Sequence, residues 1–517
     1  MSVDPQKLSA LRRVIQENLR VQIGSGRIEY VDVGDALNDA LARQNHAIFA
    51  RRGCGKTLLL HKSSENAPEE IKIVYLNCED FKQHSFPNVL IEILASLFRE
   101  MEKHQTGWFG RKKNIKEGLN SIISDLDQMT KEADQRSEIV RERSAQEAQI
   151  STGAKGELSA SGAAIGASIE SQRATSSEIE KSYELHHEKL QRLDTWLPRL
   201  KERIRIFFEQ SKKVKTIFIQ IDDLYHLRKS DQAFVVDYIH RLCKDLPLFF
   251  KIATLRHAST LYADREGQPI GAQERHDYQP ISIDYSFGDF SRTERQNRQI
   301  LYRFAEKADM TREELDSLFK GEGFARLVMA GGGVPRDILS LFLEILNDVG
   351  AKDGGKIGKD EVRILSKANF ERRIEELKHD SRYDEQNDLI RGIYTIWRFC
   401  LDKKTNIFLI EERMLKEDDA WRALFYRLLD YRIVHNCANA LTHKSQEGTY
   451  QAFAIDIGCY AHLRKHMNRF NEIDVSDKLA KEKMRSAPIL TATSLASLYS
   501  SAPADVESEL LADEIVG

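Results

Sequence analysis

The sequence predicts an α/β protein with a mainly parallel sheet and a tight, glycine-containing loop at the exit of one strand. Three observations carry this expectation. The apolar run His46-Ala47-Ile48-Phe49 leads into Ala50-Arg51-Arg52-Gly53-Cys54-Gly55-Lys56-Thr57 and then Leu58-Leu59-Leu60. That order reads as strand, loop and helix start. A second apolar run, 214–221, ends in the acidic pair Asp222-Asp223. Further short apolar runs at 71–76, 248–254 and 281–285 are separated by segments with helical spacing. Short apolar strands divided by helices argue for a parallel sheet covered on both faces.

The elements follow in order. Residues 1–30 read as an N-terminal helical segment and 31–288 as the α/β core. A helix over 35–43 precedes the strand and loop. Ile71 to Leu76 reads as the second strand, ending in Asn77-Cys78-Glu79-Asp80. Val89, Leu90, Ile93, Leu94 and Leu97 then repeat at helical spacing. From about 107 to 210 the composition changes to dense charge, with a Gly/Ala/Ser tip at 151–177. This predicts a long helical insertion whose tip has too little apolar surface to fold alone. A helix-rich lid follows at 289–356. A connector helix and a compact domain occupy 357–472, where the order helix, strand, helix, β-like pair suits a winged helix. The Ser/Ala-rich, acidic end, 473–517, reads as a loosely ordered tail.

Bulk properties narrow the function classes. At 517 residues the chain exceeds one compact core. A net charge of −3 creates no global basic field for nucleic acid and no acidic solvating excess. The six cysteines are far apart and form no CxxC pair, so neither a zinc ribbon nor a disulfide framework is indicated. The first twenty residues lack an apolar signal core, and no run of about 18 apolar residues appears. The expectation is a cytoplasmic protein without a membrane partner.

The loop has the chemistry of a triphosphate site. Successive backbone N–H groups and a helix N-terminus converge where such a loop turns, and both favour phosphate. Lys56 would reach the outer phosphates and the Thr57 hydroxyl would hold Mg2+. Ala50 to Leu58 is therefore the expected ATP-binding stretch, with Ala50 where the pattern usually has a first glycine. Asp222, at the end of a buried strand, would orient Mg2+, and Asp223 would polarise an attacking water. The bland alternative is an ordinary acidic strand exit.

With these motifs in order, the sequence resembles the AAA+ ATPases, specifically their initiator (Orc1/Cdc6-like) branch. "IVYLNCED" resembles that branch's second strand, which implies that Asn77 regulates the catalytic acid. "KIATLR" resembles the first sensor strand, with Arg256 or Thr254 at its polar position. "ISIDYSFGDFSRTERQNRQILYRFAEKA" resembles the entry to the helical lid. "GGGVPRDILSLFLEIL" resembles the second sensor, which implies that Arg336, beside Pro335, meets the nucleotide. "GKIGKDEVRILSKANF" resembles the connector into a winged helix. The similarity spans about 30–105 and 210–470. Three departures stand out. Asp223 occupies the place of the usual glutamate, one methylene shorter. The acidic pair and Gly333-Val334-Pro335 also resemble the STAND signalling ATPases. The insertion is longer than a plain initiator carries.

The resemblance implies an oligomer completed by a neighbour's arginine. Arg265 and Arg275 lie in the region concerned, or are simply part of a polar loop. Arg422, Arg427 and Arg432, with Arg464, Lys465 and Arg469, offer a modest DNA-contacting face or a solvated surface balanced by nearby acids. The leading expectation is a nucleotide-driven homo-oligomeric switch that hydrolyses ATP and controls a protein partner through the inserted arm, with bacterial antiviral defence as a compatible role. The alternatives are a DNA-binding loader of the Orc1/Cdc6 type and a nucleotide-bound adaptor without turnover.

Overall fold

The structure, a computed structural model, describes residues 3–19, 28–32, 34–81, 86–105, 111–131, 189–265, 267–350, 355–380, 383–461, 463, 470–503 and 505–511. The expected Gly/Ala/Ser tip and the basic residues Arg464, Lys465 and Arg469 lie outside the described residues. The chain divides into two compact units. The sheet unit is Asp35–Phe49 with Leu59–Ser282, and the lid unit is Met1–Gly34, Ala50–Leu58 and Ile283–Gly517.

The sheet unit holds five parallel strands: β1 (His46–Phe49), β2 (Ile71–Asn77), β3 (Thr216–Asp222), β4 (Leu248–Thr254) and the fifth, Gln279–Ser282. Their order is β2, β3, β4, β1 and the fifth strand. β3 is buried at every residue, which explains why its run lacks alternation. The fifth strand lies earlier than the apolar run 281–285 suggested, because Asp284 and Tyr285 leave the sheet to make other contacts. The inserted helix Arg111–Lys131 stacks on the helix Asn88–Lys103, and Lys189, at the start of the helical stretch 189–210, donates to the Asn88 side chain. Leu119, Ile122, Leu126, Leu193, Leu200 and Phe207 join the buried core that includes Leu94 and Phe98. A hairpin, Tyr262–Arg265 with Gln268–Gly271, follows β4. It carries Arg265 on a strand where a polar loop was expected.

The lid unit has a continuous core. It runs from Leu11 and Ile15 of the first helix (Pro5–Asn18), through Leu301 and Phe342, to Phe408, Phe425 and Phe453. Asp4 caps that first helix by accepting from Gln6 N–H, with Pro5 at its first position. The lid helices are Phe290–Lys307, Arg312–Asp316, Gly323–Ala330 and Pro335–Gly350. The C-terminal domain has the winged-helix order: helix Tyr383–Asp402, strand Ile407–Glu411, helices Glu412–Glu417 and Asp419–Asp430, then strands Val434–Leu441 and Tyr450–Ile455. Its three strands form an antiparallel sheet with Tyr450–Ile455 in the middle.

The loosely ordered tail needs correction over its described part. Three short helices, Ala480–Met484, Ala492–Ser500 and Val506–Leu511, bury Met484, Leu495 and Leu510, and Leu490 is buried between the first two. Leu409 exchanges backbone hydrogen bonds with Pro488 and Leu490, so the segment extends the sheet edge. The apolar residues are sparse but placed to reach the domain core, which average composition conceals.

Candidate functional site

The loop after β1 is shaped by its glycines. Gly53 and Gly55 have φ of 87° and 92°, a region that side chains with a Cβ enter at a cost. A Cβ on Gly53 would also sit 2.9 Å from Arg336 Cβ and 3.0 Å from Val334 Cγ1. The loop then opens the helix Lys56–Asn66. Lys56 is buried, and its Nζ reaches back to the Ala50 carbonyl at 3.2 Å.

Arg51 staples this loop to the start of the lid. Its Nε and Nη2 donate to the two Asp284 carboxylate oxygens at 2.6 and 2.8 Å, and its backbone N–H adds a third bond to Asp284 at 3.1 Å. Nη1 and Nη2 also reach the carbonyls of Gly332 and Tyr285. Burial opposes both charges. For Asp284 the Arg51 guanidinium outweighs it and holds the carboxyl below its ordinary value; Asp284 in turn raises the Arg51 value. Burial, then Asp284, pushes the Cys54 thiol up, so it stays protonated and unreactive. Arg51→Met would leave Asp284 buried without its counter-charge, at a cost of about 3–5 kcal/mol. Thermal unfolding should show the loss, and adding Asp284→Leu should recover most of it.

Arg336 lies directly against this loop. It sits in the first turn of the helix Pro335–Gly350, and its N–H points to the Gly53 carbonyl at 3.4 Å. Next to it, Asp337 accepts from Arg373 and, at 3.1 Å, from Arg432. Arg432 also donates to the Arg52 carbonyl at 3.2 Å and pairs with Glu376. Arg373 pairs with Asp456, which also contacts His435 and accepts from the Gly458 N–H. The expectation of Arg432 on a DNA-contacting face is therefore corrected: it is 2% exposed and built into a buried ion network. Arg422 and Arg427 are paired with Asp419 and Glu385.

His435 Nε2 faces Asp456, while Nδ1 is buried without a hydrogen-bond partner. A second proton would leave a buried N–H unpaired. Burial lowers the imidazole from 6.5 to about 4 against the opposing pull of Asp456. The unfolded chain binds this proton near pH 6.5 and the folded chain only near pH 4. Stability should therefore fall as pH drops across that window, by about 3 kcal/mol in total. Urea unfolding from pH 7 to pH 4.5 should show a shallower decline in His435→Gln than in the wild type.

The sheet unit supplies a second cluster. β1, β3 and β4 are parallel, with Phe49 in register with Thr254 and Ile221 with Ile252, so Phe49, Asp222 and Thr254 close one carboxyl edge. Ligands of open α/β sheets bind outside such an edge. Asp222 is fully buried; its Oδ2 accepts from Tyr75 OH and its Oδ1 from Asp223 N–H, both at 2.9 Å. Asp223 has φ 51° and ψ 45°, a left-handed conformation that Asp and Asn tolerate best among residues with a Cβ. Asn77 pairs in register with Asp222, and its side chain accepts from Glu79 N–H. The Arg256 guanidinium lies 4.6 Å from the Phe49 ring centroid and makes a forked pair with Glu274. Thr254 is fully buried and its hydroxyl pairs with Ser259.

Each unit carries a hard oxygen donor of the kind Mg2+ accepts beside phosphate and water, the Thr57 hydroxyl in one and the Asp222 carboxylate in the other. Among the described residues no group of three or more His, Cys, Asp or Glu gathers into a fuller cage. No helix among the described residues is long and apolar enough to cross a membrane.

No family model matches the chain, and no curated protein matches it. Solved structures do. A structure described as Drosophila ORC bound to DNA is 10% identical, covers 88% of this chain and 91% of its own, and has a TM-score of 0.33. The Aeropyrum pernix ORC2 protein, in ADPNP and ADP complexes, is 12% identical over 93% of this chain and 94% of its own, with a TM-score of 0.32. The Aeropyrum pernix ORC1 protein in complex with DNA is 13% identical over 94% and 93%, with a TM-score of 0.29. Similarity at this level transfers no residue role, ligand or partner to this chain.

Sequence reasoning named Gly53 to Thr57, Asp222 and Arg336 as candidates and did not name Asp284, Asp337, Arg373, Asp456 or Tyr75. Each reads locally as an ordinary helix, strand or turn residue. Arg51 inside a phosphate-type loop was the available signal, since a cation there calls for a buried carboxylate.

Proposed function

We propose that the chain is an ATP-binding and ATP-hydrolysing AAA+-type ATPase whose nucleotide state controls the lid and winged-helix domain. The observation that carries this reading is the placement of Arg336 and Val334 against Gly53. A lid cation at a phosphate-type loop can respond directly to the phosphates bound there. In this reading Ala50 to Leu58 wrap the triphosphate and Lys56 neutralises its outer end. Thr57 and Asp222 would hold Mg2+, which when bound would supply charge neutralisation to the phosphates. Asp223 accepts a proton from the attacking water, with Asn77 orienting it and Arg256 and Arg336 stabilising the departing charge. Pro335 fixes the turn that presents Arg336.

The output is the less constrained part. An assembly of several copies, controlled by ATP, fits a switch that recruits a protein partner through the inserted arm. The loader reading assigns duplex DNA to the winged helix. The ion pairing of Arg422 and Arg427 and the burial of Arg432 favour the switch. No described residue points to a defence pathway, and the proposal leaves it out.

Turnover by the purified full chain, alone and with duplex DNA, tests the reading. The switch predicts ATP-dependent assembly with turnover unaffected by DNA. DNA-stimulated turnover and a salt-sensitive complex would replace it with the loader. Binding without turnover would leave only the adaptor.

A further inference from the structure

We propose that Tyr75 is a positioning residue that fixes the Asp222 carboxylate for the divalent ion; this rests on the ATPase reading above. Tyr75 is on β2, two residues before Asn77; it falls within the IVYLNCED stretch, but the expected site residues do not include it. β2 and β3 pair in parallel, with Tyr75 opposite Gln220 and Asn77 opposite Asp222. The Tyr75 phenol therefore runs along the sheet toward the strand end and donates to Asp222 Oδ2 at 2.9 Å. Asp223 N–H fixes the other oxygen at the same distance. Each oxygen is thus oriented by a defined donor.

The tyrosine itself is held. Its ring lies 4.9 Å from the His61 ring on the helix that follows the phosphate-type loop. A carboxylate oxygen only accepts, so the phenol O–H is the donor of this bond. A fully buried carboxylate with both oxygens oriented can meet a cation without first reorganising. Partners of this kind around metal-binding carboxylates are worth 10–100-fold in metal affinity or activity. Gln220 shows a different use of the same strand: its side chain bonds to Leu60, Ser63 and Ser64 of the neighbouring helix, so it packs that helix and takes no part at the edge.

The test uses the full chain as wild type, Tyr75→Phe, Asp222→Asn and the double variant. A fluorescent ATP analogue is titrated in EDTA and across a range of Mg2+, and turnover is followed over the same range. Tyr75→Phe should raise the half-maximal Mg2+ concentration by about tenfold or more. Nucleotide affinity and melting temperature in EDTA should stay at their wild-type values. In the Asp222→Asn background the tyrosine change should add nothing, because it acts through that carboxylate. An unchanged Mg2+ response in Tyr75→Phe, beside a lost response in Asp222→Asn, would overturn the role of Tyr75 and leave the ATPase reading standing. An additive effect in the double variant would also overturn it. So would a melting temperature in EDTA lowered by more than about 5 °C, which would assign the hydroxyl to stability. An unchanged response in Asp222→Asn would instead remove the metal assignment and the ATPase reading behind it.

Discussion

Lys56→Ala is expected to abolish ATP binding, with equilibrium titration showing affinity weaker by at least about a hundredfold. The expectation rests on burial as well as charge. Lys56 is 5% exposed and its ammonium contacts the carbonyl of Ala50 across the loop. A triphosphate brings several negative charges to a region partly shielded from water, where a cation is worth far more than on the surface. Alanine removes both the charge and the tether across the loop, while leaving the helix start intact because alanine is a strong helix former. Unfolding of the apo protein should change little by comparison. Wild-type affinity in this variant would refute the phosphate assignment.

Asp223→Asn is expected to lower turnover by a factor of about 10² to 10⁴, the range of general-base contributions, while ATP remains bound. The choice of asparagine follows from the backbone. At φ 51° Asp223 occupies a conformation that Asn accepts as readily as Asp. The substitution removes the proton acceptor without straining the chain. Glutamate, the residue of the AAA+ pattern, tolerates this conformation less well. The shorter acid and the left-handed turn therefore belong together, and Asp223→Glu should lose stability with no gain in turnover. Steady-state hydrolysis beside filter-bound ATP would read both variants. Wild-type turnover in Asp223→Asn would take this residue out of the chemistry.

Much of the sheet and the loop after β1 were legible because they are local. His46 to Leu60 encodes strand, loop and helix in fifteen consecutive residues, and the glycines at 53 and 55 are where positive φ is needed. The strand ending in Asp222 announced itself by an unbroken apolar run. Arg51–Asp284 was not legible, since 233 residues separate the partners. The charge network was hidden for a related reason. Arg432 follows an amphipathic helix and reads as surface charge, yet tertiary packing places it between Asp337 and the Arg52 carbonyl. The C-terminal segment misled through composition. Its serines and acids look like a solvated tail, but Leu490 and Leu495 are fully buried. Tyr75 looked like one more aromatic strand residue, because a hydroxyl's partner on the next strand depends on register alone.

The network around Asp337 also bears on function. Asp337 follows Arg336 and binds Arg432 and Arg373, so any nucleotide-driven shift of the Pro335 turn would pull on Arg432 in the winged-helix domain and on Arg373 in the preceding helix, Lys359–Asp380. Coupling of that kind requires an element with two arrangements that nucleotide distinguishes.

The most direct measurement is a crystal structure of the full chain with a non-hydrolysable ATP analogue and Mg2+. The account predicts phosphate density within the turn formed by Gly53 to Thr57, and a metal ion bound by the Thr57 hydroxyl and facing Asp222 directly or through one water. An analogue bound away from that turn, or a metal ion with no path to Asp222, would contradict it.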